Sequence, residues 1–561
     1  MTTARHPRTD EQVHAAVAGQ TLPMLFARTV ARRKDEVALR WRHEGRSSAW
    51  TWQEYADRAT RVAALLARHA IGKGDTVALM LRNQSGFHAW DMGAQLAGAT
   101  PFSVYNTSSP EQIAYLLGHA EARIVVADAD LAPRVRDVRD QLPDLTEVIA
   151  VGGESDAAAV PRLDDLLGDV EPVDLARAST IVQPGDLATL IYTSGTTGPP
   201  KAVMLTQRNV CWVLESFAEV VGEAPPGSRM VSYLPMAHLL ERLLTHYLPL
   251  RNGAQVHPCP DASELGRYLL SVRPEIFVAP PRIWEKLRAT LRAGDIGSDR
   301  AAAAVGLDDC AVALVGAAPS PAGLIDFFRS AGLPLSEAYG LSETSGLLTA
   351  QTSRPRTGSV GLPAPGCAVR VLDDGEICCR GGNVFAGYYK DPDATAAVLD
   401  EQGWFRTGDV GVLDDDGYLT LVDRKKELII TAGGKNISPA NLEAALKEIP
   451  LVGQACVIGD NRPCLVALLV LDVPAAEAWA RRNGLAELSP QALAEHPGVL
   501  AEVRAGLAEV NGRLSQVERI KGFRLLGEEW LPDSDCLTPT MKLKRRGVHA
   551  RYADEIDALY H

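Results

Sequence analysis

What most limits the fold of this chain is the alternation in residues 54–127. Short apolar runs (Val77–Leu81, Thr100–Val104, Ile124–Ala127) are separated by stretches with helical spacing. In Glu54–Ala70 the positions Val62, Leu65, Leu66 and His69 share one helical face, and Gly72-Lys73-Gly74-Asp75 ends the element. Gly86–Leu96 reads as a second helix. Ser109-Pro110-Glu111-Gln112 opens a third, with a hydroxyl to cap, a proline at the first helical position and a glutamine to close a capping box. A strand that is apolar on every residue is buried on both faces, which calls for a parallel sheet covered by helices.

Residues 128–180 read as loops and peripheral helices, and a second alternating region begins at Asp186. From about 357 to 424 the pattern changes to short strands with Gly, Pro and Asp turns (Val369–Leu372, Glu376–Cys379, Tyr418–Val422). Arg424-Lys425-Lys426 is a charged break before a last mixed segment. The prediction is an α/β protein with a large N-terminal domain, 1–424, made of two helix-covered, mainly parallel sheets plus a small β-subdomain at about 357–424. A smaller, mobile α+β domain, 427–561, follows a hinge near 425–426.

Acidic residues outnumber basic ones, 70 to 57, for a net charge of −13. That excludes a broad basic surface for nucleic acid, though not local sites for anionic substrates. Nine cysteines without a C-x-x-C pair suit reduced thiols in a cytoplasmic protein. The polar start MTTARHPRTDEQ lacks the apolar stretch of a signal peptide, and no apolar run approaches the ~20 residues of a membrane span. Cys464–Leu471 reads instead as a buried strand.

The densest chemical signal is Tyr192-Thr193-Ser194-Gly195-Thr196-Thr197-Gly198-Pro199-Pro200-Lys201, directly after an apolar strand. Glycines let backbone N–H groups face an anion, hydroxyls add donors, and Lys201 adds a charge. Open α/β sheets bind ligands at such strand ends. By composition alone the segment would also suit a Ser/Thr/Gly surface loop. It is not a Walker A loop, because Pro200 precedes the lysine.

This segment resembles the signature of the adenylate-forming superfamily: acyl-CoA synthetases, peptide-synthetase adenylation domains and luciferases. Further motifs of that family follow in its order. They are Ser232-Tyr233-Leu234-Pro235-Met236-Ala237-His238, Val315-Gly316-Ala317-Ala318-Pro319, Tyr339-Gly340-Leu341-Ser342-Glu343-Thr344 and Gly403-Trp404-Phe405-Arg406-Thr407-Gly408-Asp409. Asp423-Arg424-Lys425-Lys426-Glu427, Thr431-Ala432-Gly433-Gly434-Lys435 and Leu537-Thr538-Pro539-Thr540-Met541-Lys542-Leu543-Lys544-Arg545 complete the series. The hinge motif and the Leu537–Arg545 motif are most similar to those of bacterial long-chain fatty-acyl-CoA synthetases. Arg273-Pro274, Pro281-Arg282-Ile283-Trp284-Glu285-Lys286 and a helical insertion at about 473–512 share that similarity.

The resemblance implies activation of a carboxylate by ATP and Mg²⁺, then transfer to coenzyme A. An anion must approach a polyanion, so positive charge at the reacting oxygens decides the barrier. Lys542 matches the family's mobile catalytic lysine; alone it would read as a solvated lysine beside Lys544, Arg545 and Arg546. Glu343 is implied to help hold Mg²⁺ and Thr344 to meet the α-phosphate. Asp409 and Arg424 are implied to hold the ribose. Gly316, Ala317 and Ala318 would let adenine lie against backbone, with Tyr339 stacking on it before Gly340; the same small residues would also suit close packing. His238 is implied to line the acyl-carboxylate pocket. It is not a metal ligand by pattern, since Glu241 is followed by Arg242. Thr193 to Gly198 and Lys201 are implied to cradle phosphates. Rotation at Lys426 would bring Gly433, Gly434 and Lys435 to the pantetheine and phosphates of CoA.

One position departs from the family: Ala202 replaces the usual glycine, and would strain the backbone if a positive φ were needed there. The expected enzyme is a cytoplasmic AMP-forming ligase of medium- to long-chain fatty acids and CoA. The alternatives are an acyl-AMP ligase loading a carrier protein and a non-catalytic nucleotide or acyl sensor. Peripheral membrane contact would suit a lipid substrate, but no strongly basic amphipathic helix supports it.

Overall fold

The computed structural model of the chain describes all residues except 1–2, 44–45, 153–160, 194–198, 223–224, 226, 295, 319, 352–354, 431–435, 461, 486–487, 532–533, 539–541 and 561. The apolar runs of the first third become strands of a six-stranded sheet. Its order is Glu147–Val151, Ala122–Asp128, Thr76–Met80, Thr100–Ser103, Leu187–Thr193, Lys201–Thr206. Neighbours are parallel except the last pair, an antiparallel hairpin. Thr76–Met80 is buried throughout, as a strand covered on both faces must be. Helices Trp52–Arg68 and Ser85–Leu96 pack so closely that a Cβ on Gly93 would lie 2.4 Å from a Val62 methyl. Ser109 caps Pro110–His119 and Gln112 closes the capping box, as the local sequence dictates.

Two features differ from the sequence reading. Leu187–Thr193 does not begin a separate sheet; it pairs with Thr100–Ser103 and completes the first one. Within 128–180, Glu147–Val151 is an edge strand rather than loop or helix. Being an edge, it is only partly buried, although Val148-Ile149-Ala150-Val151 is an unbroken apolar run.

A second sheet joins Ile276–Ala279, Val312–Val315 and Leu335–Tyr339 in parallel, extended antiparallel by Thr349–Ala350 and Leu362–Pro363. A four-stranded sheet runs Arg229–Ser232, Gln255–Pro258, Val37–His43, Arg46–Thr51. The β-rich stretch forms an antiparallel sheet of Ala368–Val371, Glu376–Arg380, Phe405–Leu413 and Leu419–Arg424, with Thr3–Arg5 added at one edge. In the last segment, Val452–Ile458, Leu465–Leu471 and Ile520–Leu526 form a sheet, and the helices Val473–Arg482, Pro490–Glu495 and Pro497–Gly512 lie between its second and third strands in the chain. Leu465–Leu471 is wholly buried. Every buried apolar cluster draws its residues from one side of 425–428 only. Among the described residues, no helix is long and apolar enough to cross a membrane.

Glu337 lies on the strand that leads to Tyr339 and is 8% exposed. Burial raises its carboxyl from 4.5 to about 7, opposed by Arg329. The folded chain therefore keeps a proton that the unfolded chain releases, so this group's contribution to stability falls as pH rises from 4.5 to 7. Glu337→Gln is expected to stabilise the protein at pH 8, by an amount of order 3 kcal/mol, and much less at pH 5. Thermal melts at the two pH values check this; equal shifts would contradict it.

Candidate active site

The strands Leu335–Tyr339, Phe405–Leu413 and Leu419–Arg424 converge at one place. Asp409 and Arg424 are direct partners across an antiparallel ladder, so the register itself sets them opposite each other. Arg424 Nε lies 2.8 Å from Asp409 Oδ1, and the Tyr339 hydroxyl donates to Asp409 Oδ2 at 2.5 Å. Burial raises the Asp409 carboxyl above its ordinary pKa, while Arg424, the Tyr339 hydrogen bond and Lys542 pull it down. Tyr339 is thus held by its hydroxyl and is 8% exposed.

The chain then turns sharply. A Cβ on Gly340 would lie 2.4 Å from Gly346 O, so the turn demands glycine. Ser342–Thr344 is a single 3₁₀ turn, followed by Ser345 at φ +52° with its hydroxyl on Asn383 O at 2.7 Å. The Thr344 hydroxyl accepts the Leu341 N–H at 2.9 Å and donates to Leu341 O at 3.2 Å, and the residue is fully buried, so its proton would have to leave Leu341 O to meet a phosphate. Glu343 instead presents its carboxylate beside Tyr388, whose hydroxyl donates to Glu343 Oε1 at 2.9 Å. Lys201 Nζ sits 4.8 Å over the Tyr388 ring. Tyr388 thus touches both groups, and the sequence reading missed it. Its only sequence signal was a pair of tyrosines after Gly387.

Lys201 and Thr193 are paired across the hairpin whose connecting residues include Ser194, Gly195, Thr196, Thr197 and Gly198, which lie outside the described residues. The Tyr115 hydroxyl donates to Pro200 O at 3.0 Å, tying that end of the segment to the helix Pro110–His119. Ala202 is in regular strand opposite Tyr192, buried, and not among the positive-φ residues. The strain considered for it does not arise. Strain sits instead at Ala317, at φ +68° in the Gly316-Ala317-Ala318 turn. Next to it, a Cβ on Gly316 would lie 2.7 Å from Ala338 O.

His238 caps a short helix, and its Nδ1 accepts the Leu240 N–H at 3.3 Å. Burial, then the Lys542 ammonium, lower its pKa to about 3. The imidazole is neutral, and with Nδ1 accepting it carries its proton on Nε2, ready to donate.

Lys542 belongs to the other side of the chain break. Leu537 bridges Leu543, Thr538 N donates to Lys542 O at 2.8 Å, and Lys542 N donates to the Thr538 hydroxyl at 3.0 Å. This small hairpin holds Lys542 in the field of Arg424, Asp409, Glu343 and Glu427. The side chain keeps solvent contact in the cleft, but loss of hydration and then Arg424 lower its pKa, with the three carboxylates acting the other way. Lys426 is an exposed turn residue, whereas its neighbour Lys425 is anchored to Asp374 at 2.7 Å and Glu376 at 2.9 Å. Gly433, Gly434 and Lys435 lie outside the described residues.

Tyr388→Phe should weaken Glu343's hold on its place. If Glu343 helps hold Mg²⁺, as the resemblance implies, the expected loss is about tenfold in pyrophosphate release, with more Mg²⁺ needed for half-maximal rate. An unchanged Mg²⁺ dependence would contradict it.

Residues 26–389 match the family described as AMP-binding enzyme, and residues 426–561 its C-terminal domain. The long-chain-fatty-acid–CoA ligase FadD15 of Mycobacterium bovis is 36% identical, over 91% of this chain and 92% of its own. The long-chain-fatty-acid–CoA ligase ACSBG2 of Gallus gallus is 30% identical, over 99% of this chain and 83% of its own. Among solved structures, the A-PCP didomain of the carboxylic acid reductase from Segniliparus rugosus in complex with AMP superposes with TM-score 0.80 at 21% identity, covering 99% of this chain and 84% of that one. ATP-bound MatB from Rhodopseudomonas palustris gives 0.76 at 22% identity, covering 96% and 100%. At those identities the two structures establish the fold.

Proposed function

The chain belongs to the AMP-binding enzyme family of the adenylate-forming superfamily, and from that premise we propose that it ligates a medium- to long-chain fatty acid to coenzyme A through an acyl-AMP. The observation that carries this reading is Lys542 facing Asp409, Arg424 and Glu343 from the far side of the 425–426 break. The two fatty-acid–CoA ligases similar over nearly the whole chain support the acyl substrate and the CoA acceptor.

In the first step a carboxylate oxygen of the fatty acid bonds to the α-phosphorus of ATP, and the bond to pyrophosphate breaks. Asp409 accepts the ribose hydroxyls and Arg424 donates to the same sugar. Gly316, Ala317, Ala318, Tyr339 and Gly340 flank the adenine. Thr193, the 194–198 segment and Lys201 face the phosphates. Lys542 adds positive charge between the carboxylate and α-phosphate oxygens, where negative charge builds. The neutral His238 donates from Nε2 to the carboxylate without attracting a second anion.

Glu343 offers a carboxylate, and no group of three or more metal-binding side chains occurs among the described residues. That donor set fits Mg²⁺, which takes one or two carboxylates and otherwise phosphates and water. When bound, the ion neutralises phosphate charge. Thr344, beside Glu343, would contribute only after its hydroxyl leaves Leu341.

In the second step the CoA sulfur bonds to the acyl carbon and AMP leaves. Lys542 occupies space that the thiol needs, so the domain 427–561 turns about Lys426 relative to the body 1–424, and Gly433, Gly434 and Lys435 come to face the thiol's carrier. Omitting CoA tests the first step: acyl-AMP and pyrophosphate should accumulate on the enzyme, and formation of ADP and phosphate would contradict the reading.

A further inference from the structure

Pro281-Arg282-Ile283-Trp284-Glu285-Lys286 has no part in the chemistry above, yet it lies where the two parts of the chain touch. Trp284 is fully buried in the body and its Nε1 donates to Leu314 O at 3.3 Å, which fixes the first turn of the helix Pro281–Ala293. Arg282 and Glu285, three apart, share a helix face. Arg282 Nη1 donates to Gly453 O at 3.0 Å, and Glu285 Oε1 lies 3.6 Å from Lys447 Nζ.

Lys447 is the C-cap of the helix Pro439–Leu446. The other end of that helix also meets the body. Asp423 Oδ2 accepts the Ser438 hydroxyl at 2.7 Å and the Ala440 N–H at 3.0 Å, a carboxylate at a helix N-terminus. The middle of the helix grips the lysine hairpin. Glu443 takes Arg545 in a two-bond fork, at 2.6 and 2.8 Å, and Arg545 follows Lys542 by three residues. A continuous path therefore runs from Glu285 through Lys447, the helix and Arg545 to Lys542.

The contact at Glu285 is built to let go. The side chains of Glu285 and Lys447 are 12% and 22% exposed. Glu285 Oε1 and Arg282 Nε are buried without a hydrogen-bond partner among the described residues. A shielded ion pair with incomplete hydrogen bonding adds little net stability, yet its geometry still selects one arrangement.

We propose that Glu285 and Lys447, with Arg282 on the Gly453 carbonyl, form a releasable latch that positions Lys542 for acyl-AMP formation and opens for thioester formation. This rests on the two-step reading above. The latch residues are positioning residues; none touches substrate.

The test uses the full chain with Glu285→Lys, Lys447→Glu and the double exchange, and measures two rates. One is acyl-AMP formation without CoA, and the other is thioester formation from supplied acyl-AMP and CoA. Each single reversal should slow acyl-AMP formation about tenfold with KM for ATP unchanged, and spare or speed the thioester step. The double exchange should recover the first rate to within about threefold. Unchanged acyl-AMP formation in the single variants would overturn the latch. So would an equal fall of both rates that the double exchange does not repair. A wild-type chain that forms no acyl-AMP would instead overturn the two-step reading.

Discussion

Lys542→Ala is expected to slow acyl-AMP formation by about a hundredfold to a thousandfold and to leave thioester formation from supplied acyl-AMP near its wild-type rate. The first half follows from charge. In this structure loss of hydration and then Arg424 lower the pKa of Lys542, while Asp409, Glu343 and Glu427 act the other way, so the site admits a cation only at some cost. A reacting carboxylate and α-phosphate would add negative charge at that place and reward the cation when the transition state forms. Alanine removes this gain and leaves the Asp409–Arg424 pair intact, so KM for ATP should move little. The second half follows from position. Lys542 is on the hairpin closed by Thr538, and on the proposed two-step reading that hairpin withdraws before a thiol enters. Presteady-state measurement of each half-reaction decides it; equal losses in both would mean that Lys542 serves the fold or both steps alike.

Lys426→Pro should do the reverse, sparing acyl-AMP formation and lowering the thioester step by a hundredfold or more. Lys426 has no positive φ. The hydrogen bonds of the turn run from Lys425 N to Gly408 O and from Glu427 N and Leu428 N to Arg424 O, and among the described residues none uses the Lys426 N–H. A proline therefore removes none of these described hydrogen bonds. It fixes φ and restricts Lys425, whose ammonium is anchored on Asp374 and Glu376. A turn about this residue needs both freedoms. Loss of acyl-AMP formation in the proline variant would show that the substitution disturbs the present arrangement, against this account.

These expectations rest on elements that differ in how far they could be read from residues alone. The helix start at Ser109-Pro110-Glu111-Gln112 is local chemistry and is found as written. The buried strand Leu465–Leu471 follows from its unbroken apolar run. The partner of Leu187–Thr193 could not be read, because pairing with Thr100–Ser103 depends on the fold of the intervening chain. The same holds for Thr3–Arg5, three residues that find their ladder beside Ala368–Val371, far along the chain. In the candidate site, motif positions named Asp409, Arg424 and Glu343, but side-chain partners are a property of space. The occupied Thr344 hydroxyl, the Tyr388 bridge between Glu343 and Lys201, and the relaxed backbone at Ala202 emerged only from geometry.

The most direct test of the central claim is pyrophosphate release with ATP, Mg²⁺ and a series of straight-chain carboxylic acids, with and without coenzyme A. The account predicts acid-dependent release that favours medium to long chains, one AMP per pyrophosphate, and acyl-CoA as the product when CoA is present. Acid-dependent pyrophosphate release with no thioester formed from CoA would contradict the acceptor, and no release with any acid would contradict the adenylating chemistry itself.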